Sequence, residues 1–183
     1  MHGWAQTCHG RAVAGLLGAV ASLLGVQEHV PARRATPEDA AELIRLRAVM
    51  LQSFPQPNWN DDWQPTSEQI LRRRFAEPSP TMAAFVVDRP DGAGLAACAL
   101  GIVEERLGGP GNPAGLMGYV FSVATDPDQR RKGYSRACMT ALLDWFRERG
   151  AGAADLRTSE WGEPLYESLG FRRTPDPAMR LRL

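Results

Sequence analysis

One stretch constrains this chain more than any other: Asp126-Pro127-Asp128-Gln129-Arg130-Arg131-Lys132-Gly133-Tyr134-Ser135-Arg136-Ala137, between a run that reads as a strand and a run that reads as a helix. The strand covers residues 116–125 and the helix about 133–149, with Ala137, Met139, Ala141, Leu142, Trp145 and Phe146 supplying its apolar surface and Gly150 and Gly152 ending it. Arg130, Arg131 and Lys132 precede Gly133, whose missing Cβ lets the backbone turn tightly and approach a ligand closely. The helix then starts with unpaired N–H donors at the positive end of its dipole, which makes a phosphate or pyrophosphate the natural occupant. Taken alone, the same residues also read as a solvated basic turn, so the flanks have to decide.

A length of 183 residues with 44% hydrophobic composition suits one ordinary domain and is short for two. Lys+Arg and Asp+Glu are equal at 21 each, so no overall field recruits nucleic acid or an anionic membrane, and the basic cluster is local and suited to a small anion. Cys8, Cys98 and Cys138 form no Cys-x-x-Cys and are odd in number, which argues against a disulfide framework and a zinc site and fits a reducing cytoplasm. All the histidines, His2, His9 and His29, lie at the start, so the body of the chain has no Ser-His-Asp triad, Cys-His pair or histidine metal site.

Residues 1–30 read as an extension, an extra helix or a loosely held segment, ahead of a single domain over 31–183. The apolar run 12–26 is shorter than the roughly 18 to 20 residues needed to span a bilayer. A signal-peptide core is its other reading, opposed by the lone Arg11 before it and the poor, early Ala19-Val20-Ala21 cleavage site. A short strand at 32–35 leads into Thr36-Pro37-Glu38-Asp39, an N-cap with proline and acids in the first turn, and then a helix facing the core through Ala40, Leu43, Ile44, Leu46, Met50 and Leu51. Residues 54–63 read as a loop whose Trp59 and Trp63 either wall a substrate site or cover the core edge. Thr66-Ser67-Glu68-Gln69 reads as a capping box that starts a second helix through Ile70, Leu71 and Phe75. A hairpin follows, with strands at 82–87 and 94–106 around Arg89-Pro90-Asp91-Gly92, and then a Gly/Pro-rich loop over 107–115. After the basic stretch and its helix come a strand at 153–158, a short helix at 163–169 and a last pair of strands, in which Met179, Leu181 and Leu183 alternate with Arg180 and Arg182.

In this order and spacing, Val-Ala-Thr-Asp-Pro at 123–127, Arg130-x-x-Gly133-x-Ser135-x-Ala137 and Leu165-Tyr166-Glu167-Ser168-Leu169-Gly170-Phe171 resemble the GNAT superfamily of N-acetyltransferases. The likeness covers residues 116–171 specifically and 32–51 more weakly. It implies an α/β (α+β) fold with a mixed, mostly antiparallel central sheet, splayed at its fourth strand and flanked by helices. It further implies that acetyl-CoA lays its pantetheine arm along the backbone of Phe121, Ser122 and Val123 and its pyrophosphate on the amides of Arg130, Arg131, Lys132, Gly133, Tyr134 and Ser135. Ser135 stands where members usually have glycine or alanine, and Ser159 where many have an asparagine that touches the cofactor. Tyr166 matches the tyrosine that protonates the leaving thiolate, a role suited to a phenol that stays protonated near neutral pH.

The implied reaction is direct attack of a primary amine on the acetyl carbonyl, with the Val123 N–H meeting the oxyanion. The candidates for the general base are Glu104 and Glu105, of which at most one faces the cleft because adjacent strand residues point to opposite faces; the other reading of both is as hairpin-edge charges. No metal is expected. The acceptor is a small-molecule or peptide amine of unidentified kind, the location cytoplasmic, with no nucleic acid or membrane partner, and the family resemblance allows a homodimer. The alternative is a module of the same fold that binds acyl-CoA without transferring it. The chain has no Gly-x-x-x-x-Gly-Lys-Ser/Thr loop for an ATP enzyme.

Overall fold

The computed structural model describes residues 30–55 and 57–181. The expected extension, with its apolar run at 12–26, lies outside the described residues apart from Val30. Five strands are arranged in sequence order, β1 (Arg33–Arg34), β2 (Met82–Asp88), β3 (Leu95–Glu105), β4 (Leu116–Thr125) and β5 (Ala153–Leu156). The pairs β1–β2, β2–β3 and β3–β4 are antiparallel, and β4–β5 is parallel.

Four helices flank the sheet: α1 (Ala40–Gln52), α2 (Trp63–Phe75), α3 (Tyr134–Glu148) and α4 (Glu163–Glu167). The turn into α1 forms because the Thr36 N–H donates to the Asp39 carboxylate at 2.8 Å in a capping box, with Pro37 where no intrahelical N–H is needed. Leu43, Ile44 and Leu46 of α1 and Leu71 of α2 pack with Val86, Leu95, Cys98, Leu100 and Ala124 of the sheet into one core. On the other face α3 lays down Cys138, Met139, Leu142, Trp145 and Phe146, all buried, at the i, i+1, i+4, i+7, i+8 spacing of one helical stripe. Phe146 lies so close to the sheet that a Cβ on Gly118 would stand 2.7 Å from its ring and one on Gly101 2.5 Å.

The structure differs from the sequence reading at several places, among them β5, which ends at Leu156 rather than at 158. Helix α2 starts at Trp63, so Thr66 to Gln69 lie inside it; Pro65 sits in the first turn, where its missing N–H removes no bond. Residues 171–181 form no strand, and Met179 and Leu181 are exposed, so the alternation there does not produce the expected last pair of strands.

Candidate active site

The centre of the candidate site is a discontinuity in β4. Leu100 of β3 lies opposite Ser122, but Gly101 lies opposite Val120, so Phe121 is an extra residue, a β-bulge. At the same point β4 loses its other neighbour: the parallel pairing with β5 ends at Val120 and Leu156, while β4 runs on to Thr125. Beyond Val120 the strand has a partner on one side only. The Asp126 N–H donates to the Ala96 carbonyl at 2.9 Å, and alternation along an antiparallel ladder then makes 98/124 and 100/122 the hydrogen-bonded pairs. The N–H and C=O of Val123 therefore face the open side, whereas those of Ser122 face β3.

The chain leaves β4 through a single 3-10 turn, Pro127–Gln129, and enters α3 through Gly133 at φ +79°. Arg131, at φ +65°, is the one non-glycine with positive φ among the described residues. Two left-handed residues so close together curl successive amides toward one concave point, the geometry of an anion-binding nest. Among the described residues no backbone acceptor takes the N–H groups of residues 130–136; the first to be taken is that of Ala137, by the Gly133 carbonyl at 3.0 Å. Arg130 and Arg131 are exposed, and Lys132 donates to the Gln129 side-chain oxygen at 2.8 Å. The two acids of the loop are occupied from behind. Asp126, only 5% exposed, accepts from Arg45 at 2.8 Å and from Arg89 at 2.8 Å, and Arg89 also holds Asp128 at 2.6 Å. The Arg89 bond holds the Asp128 carboxyl down at about 2. With its acids neutralised this way, the front of the loop presents amides and cations. A hydroxyl pair, Thr125 with Ser135 at 2.6 Å, ties the end of β4 to the start of α3.

Tyr166 sits on α4, its ring edge-on to Phe171 with centroids 6.0 Å apart. Arg136 of α3 donates to the Ser168 hydroxyl at 2.7 Å, which docks α4 against the first turn of the cradle helix. Burial raises the phenol above its ordinary range, so it stays protonated at neutral pH. Ser159 lies between β5 and α4, where its carbonyl accepts from the N–H groups of Gly162 and Glu163 at 3.0 and 3.1 Å and so starts the turn into α4.

The acids expected to act as base are not brought to this place. Glu104 is opposite Met117 and Glu105 opposite Leu116, six and seven residues along β4 from Val123, roughly 20 Å at a strand's rise per residue. Glu104 is, besides, engaged by Arg106 at 2.9 Å. Of the loop tryptophans, Trp63 packs against the core, edge-on to Trp59 at 6.1 Å. Sequence reasoning passed over Arg45, Arg89 and Arg47; the last has a signal in the chain, since it occupies a slot of the apolar stripe between Ile44 and Met50. Among the described residues no group of three or more His, Cys, Asp or Glu is placed to hold a metal ion, and no helix is long and apolar enough to cross a membrane.

A mixed sheet, flanked by helices and parting beside a helix start whose amides have no backbone acceptor among the described residues, defines an α/β fold. The chain belongs to the acetyltransferase (GNAT) family, whose model matches residues 46–171. It is 30% identical over 143 residues to the mycothiol acetyltransferase of Rhodococcus jostii, covering 74% of this chain and 43% of that one. Over 55 residues it is 40% identical to the ribosomal protein bS18 alanine N-acetyltransferase of Escherichia coli, covering 28% of this chain and 37% of that one. The chain spans less than half the length of these relatives. Among solved structures, a protein described as a predicted acetyltransferase with acetyl-CoA, from Clostridium acetobutylicum, shares the fold at a TM-score of 0.72 and 21% identity, over 83% of this chain and 95% of its own.

Proposed function

We propose that the protein is an acetyl-CoA-dependent N-acetyltransferase that moves the acetyl group to a primary amine by direct attack. The observation that carries this reading is the parting of β4 from β5 after Val120, immediately before the unpaired amides of residues 130–136. An open strand edge suits the amide-bearing pantetheine arm, which pairs with Val123 as a further strand would, with Phe121 and Ser122 lining the bulge. The nest suits the pyrophosphate, held by the amides of Arg130, Arg131, Lys132, Gly133, Tyr134 and Ser135, with Ser159 near the pantetheine on the β5 side.

In the reaction the amine nitrogen attacks the acetyl carbon and the carbonyl electrons move to oxygen, which the Val123 N–H stabilises. Collapse breaks the C–S bond, and Tyr166 delivers its proton to the departing sulfur. With Glu104 and Glu105 distant, the proton of the amine leaves to water in the open gap, and the tyrosinate is reprotonated from solvent.

The test is the melting temperature of the purified protein with acetyl-CoA, CoA and ATP, since a ligand at 100 times its Kd stabilises a fold by about 2.7 kcal/mol. Thiol release with amine acceptors is then followed. A rise with both CoA species and not with ATP, plus amine-dependent thiol release, is expected. A rise without release from any amine leaves the non-catalytic binding module, and no rise with either CoA species removes the proposal.

A further inference from the structure

Arginines that are partly withdrawn from solvent usually carry a carboxylate with them. Arg45, Arg74 and Arg89 each do so here, and the half-buried Arg149 instead donates to the Ser79 hydroxyl and lies over the Trp145 ring. Arg47 does neither. It lies on the core-facing side of α1, one turn after the buried Leu43 and Ile44 and one turn before Met50, a position otherwise apolar. Its one partner among the described residues is the carbonyl oxygen of Phe121, 3.5 Å from a guanidinium nitrogen and so at the outer limit of a hydrogen bond. The titratable group its charge feels, the Cys98 thiol, is buried and pushed up to about 12, and so stays neutral. Burial holds Arg47 below the ordinary arginine value, the mark of a half-buried cation without a counter-charge. A guanidinium offers five donors in a planar fork that fits carboxylate or phosphate with two bonds at once. Here the fork stands at the bulge of β4, two residues and about 7 Å of strand from Val123.

We propose that Arg47 selects the acceptor: it binds an anionic group, carboxylate or phosphate, carried by the same molecule as the amine that is acetylated. The acceptor class is then small amines with an anion a few bonds from the amino group. Arg47 is half-buried on the core side of α1, and an ion pair formed there is stronger than one in bulk water. This assignment rests on the acetyltransferase reading.

The experiment compares thiol release from acetyl-CoA with matched amines: glycine and glutamate against glycinamide, and glucosamine 6-phosphate against glucosamine. Wild type and the Arg47→Met and Arg47→Lys variants are run in parallel, each with its melting temperature and its acetyl-CoA-induced shift. The expected result is at least about tenfold preference for an anionic member, whether carboxylate or phosphate. Arg47→Met loses that preference by a higher KM for the anionic amine, Arg47→Lys keeps part of it, and the acetyl-CoA shift is unchanged in both. Arg47→Met also melts no lower than wild type, because it removes an unpaired cation; a merely structural arginine would lower the melting temperature. Equal turnover of charged and neutral amines, a preference that survives Arg47→Met, or turnover of neutral amines alone overturns the assignment and leaves the family's chemistry standing, whereas acetyl-CoA binding with no turnover of any amine overturns the assignment and leaves the binding module. Failure of wild type to bind acetyl-CoA instead overturns the function on which it rests.

Discussion

At the scale of the residue, Tyr166 is a phenol raised by burial and packed edge-on against Phe171, with no hydrogen bond to its hydroxyl among the described residues. A hydroxyl without a protein partner is free to serve a ligand. Tyr166→Phe keeps the ring and its packing and removes the proton. It is expected to lower kcat by about 100-fold, with the acetyl-CoA-induced rise in melting temperature unchanged. The raised value also fixes a sign: the protonated form persists to higher pH than in an ordinary tyrosine, so any alkaline loss of kcat from this group begins above the usual phenol range. Turnover in Tyr166→Phe equal to wild type would remove Tyr166 from the mechanism.

Between elements, the closest fit is that of α3 on the sheet, where Gly101 of β3 and Gly118 of β4 leave room for Phe146. Gly118→Ala would set a methyl 2.7 Å from the ring and is expected to cost about 1–3 kcal/mol in chemical denaturation. Adding Phe146→Leu in the same chain should recover part of that loss, a coupling that independent sites would not show. A second junction is the carboxylate of Asp126, which draws Arg45 of α1 and Arg89 of the β2–β3 turn to the foot of the cradle. Removing one partner of a buried ion pair leaves the others uncompensated. Because Arg45 is partly exposed, Asp126→Asn is expected to cost about 2–3 kcal/mol rather than the fully buried figure. It should also reduce the acetyl-CoA-induced shift, since the loop loses its anchor. An unchanged shift would mean that the nest holds its shape without the clamp.

For the molecule as a whole, these ion pairs link α1, the hairpin and the cradle, and they set the response to acid. Asp39 is held below its usual range by Arg33, and Asp128 is held down at about 2 by Arg89. A carboxylate whose folded value is depressed binds protons more readily when unfolded, so its contribution is complete above the unfolded value and disappears as pH falls toward the folded one. The melting temperature should therefore be flat from neutral to about pH 5 and fall below about pH 4, through the window that ends near the Asp128 value. Asp128→Asn should flatten part of that fall. A wild-type melting temperature that holds steady to pH 3 would show that these pairs carry no folding free energy.

The local organisation of the chain was legible in its residues. The bounds of β4, the hairpin before it, the capped start of α1, the glycine-led entry into α3 and the Tyr166 helix follow from side-chain spacing, caps and glycines, which act over a few neighbours. Where β4 loses its partner was expected from the family resemblance and not from spacing, because it depends on β5 stopping at Leu156, a strand distant in sequence. For the same reason spacing could not show that Glu104 and Glu105 stand far along the sheet from Val123, that Arg45 and Arg89 meet at Asp126, or that the Met179–Leu181 alternation pairs with nothing among the described residues. Strand register and the direction of a single arginine are decided by contacts between residues far apart in sequence. Residue type and local spacing determined what each element is; only the tertiary fold decided that Arg47 points at the bulge of β4.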